Sequence, residues 1–154
     1  MKSPEDLAER FRSIDAHDDT VEGFAFHPAL RRGGSAEVSV TLFRYWEGKR
    51  RELRFKRCAN FEVTLDSDVL AGNAPCNTSH LWATADPVAI SRVMKRHENE
   101  WNVEYEESIH PLPAKLSIAD KHVLFQVRVF GGVLTVVATS FTIKALRRQN
   151  EAAA

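Results

Sequence analysis

The segment between residues 123 and 143 constrains the fold more than any other part of this sequence. Apolar and polar residues alternate from 123 to 129, Gly131-Gly132 follows, and strand-like residues resume up to residue 143. This pattern predicts an antiparallel hairpin, because a two-residue glycine connection readily adopts the positive φ angles of a tight turn. Leu124 and Val137 make both faces of these strands partly apolar. We therefore expect them at the centre of a sheet, partly covered by a helix.

Three earlier segments predict further strands by the same period of two. They cover residues 20–30, 36–46 and 53–65. Polar residues 57–60 interrupt the third segment, which we interpret as a β-bulge. Residues 66–84 contain glycine, proline and asparagine without periodicity, so they predict a long loop whose order the sequence leaves open.

Two segments begin with helix-start signals and continue with apolar residues at helical spacing. Ser3-Pro4 opens the first, and Asp86-Pro87 opens a second that we expect to reach Trp101. The elements together predict an α+β fold, a mainly antiparallel sheet of about five to seven strands with the N-terminal helix and the second amphipathic helix packed on it. We expect one domain over residues 1–146 and a flexible C-terminal tail over 147–154.

Composition excludes several classes of protein. The 154 residues include 21 basic and 21 acidic side chains, so the chain has no net charge to attract nucleic acid or an anionic membrane as a whole. The N-terminus has no apolar signal-peptide region, and the longest apolar run is too short to cross a bilayer. With only two cysteines, at positions without metal spacing, the chain is typical of a cytoplasmic protein. We expect no membrane partner.

No catalytic motif is present, so we predict no catalytic residue and no cofactor. One polar cluster, His17-Asp18-Asp19, allows two interpretations. An imidazole beside two carboxylates could bind a divalent metal, as in a metal-dependent hydrolase. The same residues could instead satisfy backbone donors in a turn, with His17 packed on the first helix.

Charge is unevenly distributed along the chain. A basic hairpin with interleaved aromatic residues could follow a phosphate backbone and stack on bases, although alternating basic residues are the ordinary solvated face of an edge strand. A later segment is acidic, with no basic residue among its glutamates, and could meet a basic protein partner or simply face solvent. The basic hairpin contains Arg44, Tyr45, Trp46, Lys49, Arg50, Arg51 and Arg54, and the acidic segment contains Glu98, Glu100, Glu104, Glu106 and Glu107.

Two stretches resemble a broad set of small bacterial proteins. They are His17-Asp18-Asp19-x-Val21 between a short helix and a strand, and the closing hairpin over residues 127–143. The set includes immunity proteins of polymorphic toxin systems and related uncharacterised families. The resemblance implies a protein that binds and silences a cognate toxin without a cofactor.

A non-catalytic protein-binding domain, in its most specific form an immunity protein, is therefore the leading expectation. We expect its partner, which could be a toxin, to contact the acidic segment and the aromatic residues Trp82 and Trp101, because aromatic anchors dominate interface energetics. A nucleic-acid-binding module using the basic hairpin and a metal-dependent hydrolase centred on His17 are the alternatives. An exposed strand edge would also allow a homodimer.

Overall fold

The computed structural model describes residues 2–105 and 121–147, with side chains for residues 2–96 and 121–147. The predicted tail, residues 147–154, lies outside the described residues except for Arg147. Eight strands and three helices form in the described ranges. They are α1 (Pro4–Arg12), β1 (Thr20–His27), β2 (Glu37–Arg44), β3 (Lys49–Lys56), β4 (Asn60–Leu65), α2 (Ser67–Leu70), β5 (Thr78–Thr84), α3 (Pro87–Tyr105), β6 (Val123–Val129), β7 (Gly132–Ala138) and β8 (Ser140–Leu146).

Both predicted helices begin where their capping residues place them. The Ser3 hydroxyl accepts a hydrogen bond from the Asp6 backbone N–H at 3.1 Å, and the Asp6 carboxylate accepts one from the Ser3 N–H at 3.1 Å. This reciprocal capping box satisfies two backbone donors that the first turn leaves free. Asp86 caps α3 by accepting from the Val88 N–H at 3.0 Å. Among the described residues, no helix combines the length and apolar character that crossing a bilayer requires.

The strands form two antiparallel sheets of four strands each. One sheet has the order β1-β2-β3-β8, and the other has the order β4-β7-β6-β5. The predicted α+β class with a mainly antiparallel sheet is confirmed. The difference from the prediction is that the eight strands exceed the expected five to seven and are divided between two sheets.

Residues 57–59 connect the two sheets, whereas the sequence predicted a bulge within one strand. β3 ends in one sheet and β4 begins in the other, and Arg57 turns the chain with a φ of 53°. The same change occurs at Thr139, between β7 and β8. Two hydrogen bonds join the bends, from Ala59 N–H to Val137 O at 2.7 Å and from Thr139 N–H to Lys56 O at 3.2 Å. The two strand pairs therefore cross between the sheets together.

The segment predicted as a long loop, residues 66–84, contains both α2 and β5. The pairing of β5 with β6 is irregular between Thr78 and His80. As a result Thr78 and Leu81, three residues apart, are both buried. This irregularity breaks the period of two that identifies a strand in a sequence, and it explains why the loop prediction was wrong for residues 78–84.

The closing hairpin forms as predicted, with its turn one residue earlier than the glycine pair suggested. Val129 pairs with Gly132, so the turn consists of Phe130 and Gly131, and Gly131 has a φ of 104°. β6 and β7 are the central strands of their sheet, as expected. Leu124 and Val137 pack with Ile90 of α3. This cluster attaches α3 to the outer face of the sheet.

α1 closes the interior between the sheets through one side chain. Phe11 is completely buried, and its ring lies 5.8 Å from that of Phe55, 5.0 Å from Phe125 and 5.1 Å from Phe141, measured between centroids. Phe55 and Phe141 belong to one sheet, and Phe125 belongs to the other. The N-terminal helix therefore shares one aromatic core with both sheets.

Candidate functional site

The His-Asp-Asp segment contains a buried carboxylate that two arginines bind. Asp19 has no exposed surface, and its Oδ1 accepts from Arg44 Nε at 2.9 Å while its Oδ2 accepts from Arg51 Nη2 at 2.6 Å. Both arginines also donate to the Asp15 backbone oxygen, at 2.8 and 2.6 Å. The hydrogen bond that Arg44 donates to Asp19 raises the pKa of Arg44. The negative charge of the Asp19 carboxylate is thus compensated by two arginines, which is the condition for burying a charged group.

The backbone of the same segment is fixed against β5. Asp18 adopts a φ of 63°, and its N–H donates to the Thr78 oxygen at 2.9 Å. Thr78 in turn donates its N–H to the Asp19 oxygen at 2.8 Å and its hydroxyl to the Ala16 oxygen. The turn interpretation holds only for the backbone, which joins the helix exit to a strand. The Asp19 carboxylate binds arginine side chains instead of backbone donors, and the His17 ring lies 6.3 Å from that of Phe130 instead of packing on α1.

His17 and Asp18 form an exposed pair of their own, unlike the buried Asp19 carboxylate. His17 Nδ1 is 3.0 Å from Asp18 Oδ2, and these side chains are 63% and 51% exposed. Asp19 points inward to its arginines instead. Within residues 2–96 and 121–147, no three side chains of His, Cys, Asp or Glu are arranged to hold a metal ion.

The arginines of the basic hairpin are engaged in ion pairs within the protein. Besides the two that bind Asp19, Arg50 donates to both oxygens of Glu22 at 2.8 and 3.0 Å. Arg54 donates to Glu37 at 3.0 Å and to Glu52 at 3.2 Å. These carboxylates offset most of the positive charge that the sequence places here. Tyr45 and Trp46 are exposed at the hairpin tip, and Lys49 follows them.

The predicted partner-binding residues do not form one described surface. Trp82 is half-buried beside α3, and the Arg128 guanidinium lies 4.7 Å from its ring centroid. Four predicted residues belong to α3, in the part whose backbone alone is described, and two lie outside the described residues. The first four are Glu98, Glu100, Trp101 and Glu104, and the other two are Glu106 and Glu107.

β5 carries a serine–histidine pair that the sequence did not reveal. The direction of its hydrogen bonds is opposite to the one that would activate the serine as a nucleophile. His80 Nε2 lies 3.2 Å from Arg128 Nη1, and an arginine can only donate. His80 must therefore accept at Nε2 and carry its proton at Nδ1, which donates to Ser79 Oγ at 3.2 Å. The Ser79 hydroxyl donates to the Arg128 backbone oxygen at 3.2 Å. The histidine thus cannot take the serine proton in this arrangement.

The outer edge of β1 is the second feature that sequence reasoning missed. Its pairing on that side stops at the N-terminal end, where Thr20 bridges to Asn77 and the Val21 N–H donates to the Cys76 oxygen at 2.8 Å. From residue 23 to residue 27, the described part of the chain provides no strand on the outer side. This stretch leaves backbone donors and acceptors available along an edge.

Two phenylalanines are exposed along this outer edge of β1. Phe24 and Phe26 are 47% and 58% exposed, although they pair with the fully buried Val40 and Val38. Cross-strand partners share a face, so both rings lie on the inner face of the sheet, at its uncovered margin. The Phe24 ring lies 5.6 Å from that of Phe61 in β4. The spacing of two residues between Phe24 and Phe26 is visible in the sequence. Their exposure, however, depends on β1 being the terminal strand of its sheet.

α1 covers two of the other sheet edges. Arg10 Nη2 donates to the Phe141 oxygen of β8 at 3.2 Å, and Arg12 Nη1 donates to the Ala83 oxygen of β5 at 2.6 Å. The edge of β1 between residues 23 and 27 has no comparable cover in the described part of the chain.

Compared with known proteins, the chain matches no protein-family model, no curated protein and no solved structure.

Proposed function

We propose that this chain is a non-catalytic protein-binding domain whose partner adds an extended segment to the outer edge of β1. The observation that carries this proposal is the stretch at residues 23–27, which no described strand pairs on its outer side and where Phe24 and Phe26 are exposed. Edge strands are usually protected by charge, proline or a covering element. The pairing of β1 is irregular between Val21 and Gly23, but beyond that point no described element covers the edge. Two exposed aromatic side chains on such an edge are typical of a surface that another chain completes.

The proposed binding mode uses two kinds of contact. Main-chain hydrogen bonds to the β1 edge supply affinity, and contacts with alternate side chains of the added strand supply specificity. Phe24 and Phe26 lie on one face of β1, so they would contact every second residue of that strand. Large aromatic side chains supply much of the energy of protein interfaces.

An immunity protein that neutralises a toxin is the more specific form of this proposal. Its support is the resemblance of the His17-Asp18-Asp19 segment and of the closing hairpin to such proteins. In that form, the toxin supplies the strand that pairs with β1.

The two alternative functions have less support. A nucleic-acid-binding role would use arginines that already pair with Asp19, Glu22 and Glu37, which lowers the charge available to phosphates. A metal-dependent role would require Asp19 to release two arginines before it could bind a cation. Both changes would cost ion pairs that stabilise the fold.

Selection of displayed random peptides on the immobilised protein tests the proposal. We expect enriched peptides to alternate apolar and polar residues, since only extended segments can pair with a strand edge. Phe26→Lys should weaken their binding by about tenfold or more, because a charge replaces an apolar contact at the edge. Leu70→Lys, at a side chain that is 71% exposed on α2, is the matched control and should bind normally.

Two outcomes would refute the β1 site. One is the absence of any enriched peptide, and the other is equal binding by wild type and Phe26→Lys. Circular dichroism and thermal unfolding of both variants establish that each remains folded. A short DNA duplex, titrated at low and moderate salt, is the probe for the nucleic-acid alternative, whose affinity should fall steeply with salt.

A further inference from the structure

We infer that the segment which pairs with β1 carries acidic residues next to its apolar ones. This inference rests on the proposed function and names the chemistry of the partner. Its basis is a cluster of exposed cationic side chains at the end of the sheet where β1 finishes, none of them ion-paired within residues 2–96 and 121–147. We refer to Arg31, Arg32, Lys56 and Arg57 as the cationic end.

The topology places these four residues at one end of the sheet. His27, Glu37 and Lys56 lie in one row across β1, β2 and β3, because His27 pairs with Glu37 and Glu37 pairs with Lys56. Arg31 and Arg32 belong to the connection from β1 to β2, residues 28–36. The Cys58 N–H donates to the Ala36 oxygen at 3.0 Å, which holds the end of that connection beside the residues that follow β3.

The cationic end differs from the basic hairpin because the described part of the chain places no carboxylate in an ion pair with it. All four side chains are exposed, and none forms an ion pair with a described residue. The acidic residue in the same row as Lys56, Glu37, is bound by Arg54 at 3.0 Å. At the opposite end of the same strands, Arg44 and Arg51 are bound to Asp19. Among the described residues of these strands and their connections, positive charge without an ion pair therefore lies mainly beside the end of β1, whereas Lys49 lies at the opposite end.

Exposed apolar side chains occupy the same end. Phe26 is 58% exposed, and Leu30, in the connection, is 96% exposed. A ligand that matches both features combines carboxylates with apolar side chains in one short segment. A peptide fits the neighbouring edge better than a nucleic acid does, because a strand edge displays carbonyl acceptors and a phosphodiester backbone has no N–H donors to meet them.

Matched synthetic peptides test this inference. Each peptide alternates valine or phenylalanine with threonine and carries two glutamates at one terminus, and its control replaces both glutamates with glutamine. Peptides with the charge at either terminus cover both strand directions. At low salt, we expect the acidic peptide with the correct polarity to bind about tenfold more tightly than its glutamine control, as for complementary charges at an interface rim.

Two double variants of equal charge locate the effect. Arg31→Glu/Arg32→Glu should remove the preference for the acidic peptide. Arg92→Glu/Lys95→Glu changes the net charge equally at exposed positions on α3 and should keep the preference. If both double variants lose the preference equally, a general charge effect is responsible and the inference is wrong.

The remaining outcomes separate this inference from the proposed function. Equal binding of acidic and glutamine peptides overturns the acidic preference and leaves the β1 edge as the binding site. If neither peptide binds, the proposed function itself fails. Binding of phosphatidylserine vesicles through Arg31 and Arg32, without peptide binding, identifies a membrane surface as the ligand. Concentration-dependent association of the chain alone, abolished by Phe26→Lys, identifies a second copy. Either of these two results overturns the inference.

Discussion

Asp19 and Arg51 form an ion pair in which the carboxylate is completely buried and the distance from Arg51 Nη2 to Asp19 Oδ2 is 2.6 Å. The pair links the connection after α1 to β3, across 32 residues of sequence. It also unites the two clusters that the sequence presented as separate candidate sites. Asp19 of one cluster binds Arg44 and Arg51 of the other.

Replacing Asp19 with asparagine should destabilise the fold strongly. The variant removes the buried carboxylate that both arginines share, so that Arg44 keeps only its weaker pairs with Asp15 at 3.5 Å and Glu47 at 3.9 Å. Removing one partner of a buried ion pair costs about 3 kcal/mol or more. Urea unfolding followed by circular dichroism measures the free energy of unfolding. Asp18→Asn is the control, because asparagine tolerates the positive φ at this position and the Asp18 side chain is 51% exposed. Equal stability of the two variants would contradict the structural role of Asp19.

Alanine at Gly132 should be far more costly than alanine at Gly23. A Cβ atom at Gly132 would overlap the backbone oxygen of Thr64 in the paired strand, so β4 and β7 would have to separate. We expect a loss of about 2 kcal/mol or more, as for overpacking against backbone. Gly23 has nothing within 4 Å of the corresponding position, so its alanine variant should be neutral or slightly stabilising. Comparable losses at both glycines, measured by chemical unfolding, would contradict the close approach of these strands.

Cys58 should react slowly with alkylating reagents in the folded protein. Burial disfavours the thiolate and raises the pKa of this cysteine to about 11. At pH 8 the thiolate fraction is then on the order of a hundredfold lower than in the unfolded chain. Mass spectrometry of the iodoacetamide-treated protein, native and in urea, gives the rate at this residue.

The pH dependence of that rate has a definite sign. The folded pKa is raised, so the native rate should climb about tenfold per pH unit between pH 8 and pH 10. The unfolded chain loses its thiol proton at lower pH, so this group should destabilise the fold as pH rises toward about 11. A native rate at pH 8 equal to the rate in urea would show that Cys58 is accessible and not perturbed.

Elements with local signals could be predicted from the sequence. Ser3 and Pro4 place the start of α1, and Gly131 marks the final turn, because capping and positive φ depend on a few adjacent residues. β5 could not be predicted in the same way. Its irregular pairing between Thr78 and His80 disrupts the alternation, and flanking glycine and proline are typical of loops. The same limit applies at residues 57–59, where a change of sheet resembles a bulge.

The candidate site could be predicted only in part. The composition of the basic hairpin was evident, but its pairing with Asp19 and Glu22 depends on contacts between distant segments. Likewise, the sequence predicted a strand at residues 20–30 without indicating that it would be terminal. Strand order follows from the packing of the whole chain, and it is this order that exposes Phe24 and Phe26.

The most direct test of the central claim is backbone amide hydrogen exchange by NMR, with and without a peptide that the protein selects. The account predicts that exchange slows at alternate amides within residues 23–27, where outward N–H groups gain a partner strand, while amides of β8 and β5 keep their rates. Slower exchange confined to α3 or to the hairpin at residues 44–51, with β1 unchanged, would contradict it.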